Sequence, residues 1–228
     1  MTRRDEQIYE DIAAARFVTS EQIHRLLLPG TKGPQKTNQR LRVLQKAKMI
    51  KKKRMGDTGM YVYYSGKWSQ NWRHWVLLNQ VRVELITQAK SWQKVSVFSR
   101  EYVYDDLRAD ALVAVDNSVQ KSRQVFFVEV DNGTNPFTDK YGKVAAKLEL
   151  SLEPPWWYRD VFPRVLVVTS RTEKVCAVVE GSTVRYCVAT IEEVRKDVYR
   201  CLSADSSAGK SPAVSARLSA GRECQIHR

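Results

Sequence analysis

The sequence predicts an α+β (α/β) protein built as two domains. Three observations point there. The first 66 residues hold three short amphipathic segments followed by a basic hairpin, the next stretch interleaves apolar strand candidates with helical ones, and a chain of 228 residues that is 43% hydrophobic is long enough for more than one core. The expected division is residues 1–66, residues 67–202 and a tail over 203–228, rich in Ser, Ala and Gly and expected to be disordered.

Asp5 to Ala15 reads as a helix, because Ile8, Ile12 and Ala15 share one face that Glu6, Glu10 and Asp11 avoid. Arg16-Phe17-Val18 is a short extended link. Thr19-Ser20-Glu21 then offers a cap to a second helix carrying Ile23, Leu26, Leu27 and Leu28, which Pro29-Gly30 ends. A third helix follows Pro34, with Leu41, Leu44 and Ala47 expected inward and Lys36, Asn38, Gln39, Arg40, Arg42 and Gln45 outward. Lys51 to Arg54, the turn Gly56 to Gly59 and Tyr61 to Tyr64 make a strand, a turn and a strand.

Beyond it, Trp72 to Ala89 has helical spacing at Trp75, Leu78, Val81, Leu85 and Ile86. Strands are expected at Val95–Phe98, Ala111–Val115, Val125–Val130, Val165–Thr169, Val175–Val179 and Val184–Val188, with helices at Thr138–Leu150 and Ile191–Cys201.

The net charge is +13. Residues 1–67 carry 15 Lys/Arg against 6 Asp/Glu, so most of the excess sits in under a third of the chain, and a polyanionic partner is expected there. Three short helices and a basic hairpin are the order of a winged helix-turn-helix, whose third helix enters the major groove of double-stranded DNA while the wing follows phosphates. The residue types suit those roles. Arg40 and Arg42 can donate in a fork to guanine, Asn38 and Gln39 can pair with adenine edges, and Lys36, Lys51, Lys52, Lys53 and Arg54 supply positive charge. The alternative is a small helical domain with a solvated basic face.

In the second domain, Asp110 precedes the apolar run from Ala111, and Glu129 and Asp131 lie two residues apart on the next strand, hence on one face. Three converging carboxylates are costly without a cation, and Mg²⁺ or Mn²⁺ held by oxygen ligands is what metal-assisted phosphodiester cleavage uses. The structural alternative has Asp110 capping a turn and Glu129 pairing with Lys140.

At these motifs the sequence resembles the plasmid replication-relaxation proteins. Arg108-Ala109-Asp110-Ala111 stands at that family's Pro-Asp-Ala motif, and Phe127-Val128-Glu129-Val130-Asp131-Asn132-Gly133-Thr134 at its Glu-Val-Asp-Arg-Gly-Thr motif. The helix at His74–Ala89, Lys140 with Tyr141, and Phe162 to Thr169 extend the likeness, which with the N-terminal module covers about residues 5–170. The resemblance implies action in the replication or relaxation of a plasmid or other mobile element, and a second domain of restriction-endonuclease-like fold. Ala109 replaces the proline and Asn132 the arginine, and Asp131 stands where an active nuclease of that fold has lysine. Lys140 or Lys143 is then the candidate cation, and Glu84 a further metal ligand. Active DNA nicking and an inactive domain used for dimerisation or clamping both remain open. So does a transcriptional repressor with a dimerisation domain, and a homodimer and replication proteins are further candidate partners.

Other features are less specific. Pro154-Pro155-Trp156-Trp157-Tyr158 is either a stacking platform or the cover of a core edge, and Trp68, Trp72 and Trp75 read as anchors of the interdomain linker. Gly209-Lys210-Ser211 lacks the preceding glycine of a phosphate loop. Cys176, Cys187, Cys201 and Cys224 form no CxxC pair, and no apolar run reaches the roughly 18 residues of a membrane span. A cytoplasmic protein with reduced thiols and no membrane partner is expected.

Overall fold

The computed structural model describes residues 2–203 apart from 31–32, 57–58, 134–135, 150, 152–153 and 159–161. The chain is α+β and divides into two compact units, residues 1–83 and 84–228.

In the first unit α1 (Arg3–Ala15), β1 (Val18–Thr19), α2 (Ser20–Leu27), α3 (Pro34–Lys46), β2 (Lys51–Arg54) and β3 (Tyr61–Tyr64) follow one another, and the strands form an antiparallel sheet in the order β1-β3-β2. Capping starts two of the helices. Thr2 and Asp5 form a reciprocal capping box on α1, and Thr19 and Gln22 form another on α2. Ile8, Ile12, Ile23, Leu41, Leu44 and Tyr63 make the core. Ala47, expected inward, is exposed because α3 ends there; buried Thr37 takes an inward position and meets His24 Nδ1 at 3.2 Å.

The next helix, α4 (Trp72–Thr87), carries the division between the units, some residues beyond the boundary expected at 66/67. Its first turns are tied into the first unit. Gln22 Nε2 donates to the Val76 carbonyl at 2.8 Å, Arg82 pairs with Asp11 at 2.9 Å, and Asn79 Nδ2 donates to the carbonyls of Ala15 and Phe17, both at 2.9 Å. The last pair bracket Arg16, whose φ of 64° turns the chain from α1 into β1. Trp68 and Trp72 likewise pack within this unit, against each other and, through Trp68, against Phe17 and Tyr64.

The second unit is a mixed sheet in the order β4-β5-β6-β7-β8. Its strands are β4 (Gln93–Tyr104), β5 (Leu107–Asn117), β6 (Ser122–Asp131), β7 (Arg164–Thr169) and β8 (Tyr186–Ala189). The first three are antiparallel. The last three are parallel, as the intervening helices α5 (Tyr141–Glu149) and α6 (Thr172–Val179) require. Pairing extends β4 and β5 well beyond their apolar runs, so Asp110 lies inside β5 rather than ahead of it. The strand expected over Val175–Val179 is instead the end of α6. Val175 and Val179, four apart, are buried while Ala177 and Val178 between them are exposed, and a short apolar run does not separate the two periods by itself. Phe127, Tyr141, Leu148, Trp157 and Val167 belong to the core on which α5 and α6 pack. Trp157, whose indole donates to Tyr102 Oη at 2.7 Å, covers that core, whereas Trp156 is exposed.

The final helix, α7 (Ile191–Ser203), bends at Asp197, whose backbone is not helical. Gln88 fills the break by donating to the carbonyls of Val194 and Arg195 and accepting from Val198 N at 2.8 Å. The tail expected to be disordered, with Gly209–Ser211 and Cys224, lies outside the described residues. Among the described residues no helix is long and apolar enough to cross a membrane.

Candidate functional site

Two sets of residues were expected to carry function, one in each unit. In the first, Pro34 at the start of α3 and buried Thr37, Leu41 and Leu44 orient the helix. They leave Lys36, Gln39 and Arg42 exposed at helical spacing, and Lys46 and Val43 extend that stripe by a turn. Lys46 was missed by the sequence reading, although it lies four residues beyond Arg42. Asn38 is half-buried. Arg40 is half-buried beside α1, its Nη1 3.6 Å from Oδ2 of buried Asp5. That pair is visible only once α1 and α3 are packed.

All four residues of β2 are exposed on an edge strand, a placement that also discourages pairing with a foreign strand. The register opposes Lys52 to Tyr63 and Arg54 to Tyr61, and Lys51 to Tyr64 and Lys53 to Val62, so the four cations alternate between the faces of the sheet. On one face Lys53 sits 4.2 Å from the ring centroid of Trp68, and Lys51 Nζ donates to the Gly66 carbonyl at 3.4 Å. On the other, Lys52 lies 4.8 Å over Tyr61 beside Arg54.

In the second unit the β5–β6 register ends with Ala111 opposite Val128, so Asp110 and Glu129 are each the next residue beyond the last pair, and the Asp110 charge acts on the Glu129 carboxyl. Asp110 Oδ2 accepts the Val130 amide at 2.7 Å. Glu129 is buried, and its Oε1 accepts from Tyr141 Oη at 2.5 Å and lies 2.8 Å from Lys140 Nζ, which also donates to the Arg108 carbonyl. Burial first, and then the charge of Asp110, push the Glu129 carboxyl up to about 7 against the opposing pull of Lys140 and Tyr141. Burial and that same carboxylate hold the Tyr141 phenol well above its ordinary value, so it remains a donor.

Asp131 shares the strand face of Glu129 but is engaged elsewhere. Arg171 grips it with Nη2 at 2.6 Å and Nε at 3.2 Å, and Thr169 Oγ1 donates at 2.7 Å. Burial works against its charge, yet these bonds and the Gly133 amide outweigh it and hold the carboxyl below its ordinary value. Glu84 is buried and accepts from Gln88 Nε2 at 2.8 Å, next to the break in α7. The expected set of Asp110, Glu129, Asp131 and Glu84 therefore does not assemble. Among the described residues no group of three or more acidic, histidine or cysteine side chains is placed to hold a metal. The site that does assemble is Asp110, Glu129, Lys140 and Tyr141; Lys140 rather than exposed Lys143 supplies the cation. Comparison of the chain with known protein families, with curated proteins and with solved structures finds no match.

Proposed function

We propose that this chain binds double-stranded DNA through a winged helix-turn-helix formed by α1–α3 and β1–β3, and that it acts in the cytoplasm in the replication or relaxation of a plasmid or other mobile element. The observation that carries the reading is the exposed stripe of Lys36, Gln39, Arg42 and Lys46 on α3, in the same unit as a β2 strand made wholly of exposed cations. Arg42 and Gln39 are the base-edge donors, and Lys52 and Arg54 contact phosphates. The motif resemblance around Phe127–Thr134 supports the mobile-element role.

Measured by anisotropy on random duplex DNA, binding weakens steeply with salt, and Lys52→Glu with Arg54→Glu abolishes it at physiological ionic strength. Each lost phosphate contact lowers the log–log salt slope by about 0.9. Binding that ignores salt, or that survives both reversals, would sink the reading.

A second reading, metal-assisted nicking, is favoured by one observation: two carboxylates lie just beyond the last β5–β6 pair, with Lys140 against one of them. Mg²⁺ needs only one or two carboxylates beside water and phosphate oxygens, so Asp110 and Glu129 suit Mg²⁺ or Mn²⁺. When bound, such an ion supplies water activation and charge neutralisation at the phosphate. The protein's own part is orientation: Tyr141 fixes one oxygen of Glu129, and Lys140 offers a positive charge to a phosphodiester oxygen. Supercoiled plasmid incubated with Mn²⁺ is nicked by the wild type and not by Asp110→Ala or Glu129→Ala; equal nicking by all three rejects the site.

A further inference from the structure

At the carboxyl ends of parallel β6 and β7, the chain leaves Asp131, turns at Gly133 with φ of 83° and passes α6. Between that turn and the helix lies a groove of about 320 Å³, lined by Gly133, Phe137, Arg171, Lys174, Val175 and Val178 together with Pro136. The volume is at the small end of the roughly 300–1,000 Å³ range of ligand clefts. The lining has a definite chemistry. It carries Arg171 and Lys174 and no acidic side chain, and Arg171 is paired with Asp131, so Lys174 is the charge offered at the rim. Its apolar part is the Phe137 ring with Val175 and Val178, the last 44% exposed.

A groove that joins a cationic rim to an aromatic and aliphatic floor matches one nucleotide of a polynucleotide strand, with phosphate at the rim and sugar or base on the floor. We infer that this groove in the second unit binds a single DNA strand, with Lys174 on a phosphate and Phe137 and Val178 against the sugar or base. The contacts are to groups every nucleotide shares, so binding is independent of sequence. Arg171 is a positioning residue here, since its guanidinium is already committed to Asp131. Asp131, which Arg171 grips, follows Glu129 by two residues on the same strand face.

The inference rests on the chain being a DNA-binding protein and adds a second, single-strand site remote in sequence from α3 and β2. The test uses the full chain carrying Lys52→Glu and Arg54→Glu, so that hairpin contacts do not mask the groove. Anisotropy is read with a fluorescein-labelled twelve-residue oligothymidylate. This parent binds the probe; Lys174→Glu weakens binding at least tenfold, and the milder Lys174→Ala lowers the salt slope by about 0.7, one single-strand phosphate. Val178→Glu weakens binding as well, by removing floor and adding like charge to the ligand. Lys174 and Val178 are exposed, and unchanged melting temperatures certify the fold of each variant. A parent that ignores the probe, or Lys174 and Val178 variants that bind it as the parent does, overturns the inference. Duplex binding by the chain with Lys52 and Arg54 intact, measured in parallel, reports separately on the N-terminal reading.

Discussion

Glu129 concentrates the electrostatic tension of the second unit, because its charge is buried, is opposed by that of Asp110 and is only partly offset by Lys140 and Tyr141. Its folded-state value of about 7 lies above the ordinary 4.5, so the folded chain binds the proton more tightly than the unfolded one. The stabilisation from that proton is full below about 4.5 and is lost as pH rises through about 7. Glu129→Gln is therefore expected to raise the melting temperature at pH 8, with the gain shrinking toward pH 5. A shift of equal size at both pH values would show that this carboxyl does not titrate in that window. Asn79 is the opposite case, a fully satisfied clamp on the carbonyls either side of Arg16. Asn79→Ala leaves two acceptors without their donor and costs about 1–3 kcal/mol, read from denaturant midpoints. The pairing of Glu129 with Lys140 was an alternative the sequence already offered. Glu129 is conspicuous in an apolar run, but Asn79 has no local signal at all, since the loop it clamps is more than sixty residues away.

At the scale of elements, helices with caps and clear periodicity were legible: α1 from Ile8, Ile12 and Ala15, and α2 from Thr19 with Gln22. Strand extents were not. The run Val95–Phe98 grows into β4 over Gln93–Tyr104 because β5 supplies ladder partners for polar residues as well. The valine-rich Val175–Val179 reverses its expected type, because burying Val175 and Val179 while exposing Ala177 between them needs a helical spacing and the parallel β7–β8 pair needs a crossover. The bend in α7 is likewise a tertiary matter, sustained by the Gln88 amide. Gln88→Leu removes three hydrogen bonds at the break. It is expected to lower stability by about 1–3 kcal/mol and to raise amide exchange at Val198 before it does so elsewhere in α7. Uniform exchange across the helix would argue against Gln88 as its support.

For the whole molecule, the boundary matters most. A fragment ending at Gly66 lacks Val76, Asn79 and Arg82, which hold Gln22, the Arg16 turn and Asp11. Circular dichroism is expected to show a weak, non-cooperative melt for residues 1–66 and a cooperative one for residues 1–87; two equal melts would restore the earlier boundary. Composition and periodicity alone determined the α+β class, the order of helices and hairpin in the first unit, the concentration of positive charge there and the pairing of Glu129 and Asp131 on one strand face. These follow from local rules, in which 3.6- and 2-residue repeats and turn chemistry act within a few residues. Only the tertiary structure decided that Arg171 takes Asp131 and that Asp5 draws Arg40, leaving Asp110, Glu129, Lys140 and Tyr141 together. Charge partners are chosen by which strands and helices become neighbours, and that choice belongs to the burial of the whole core rather than to any segment of the chain.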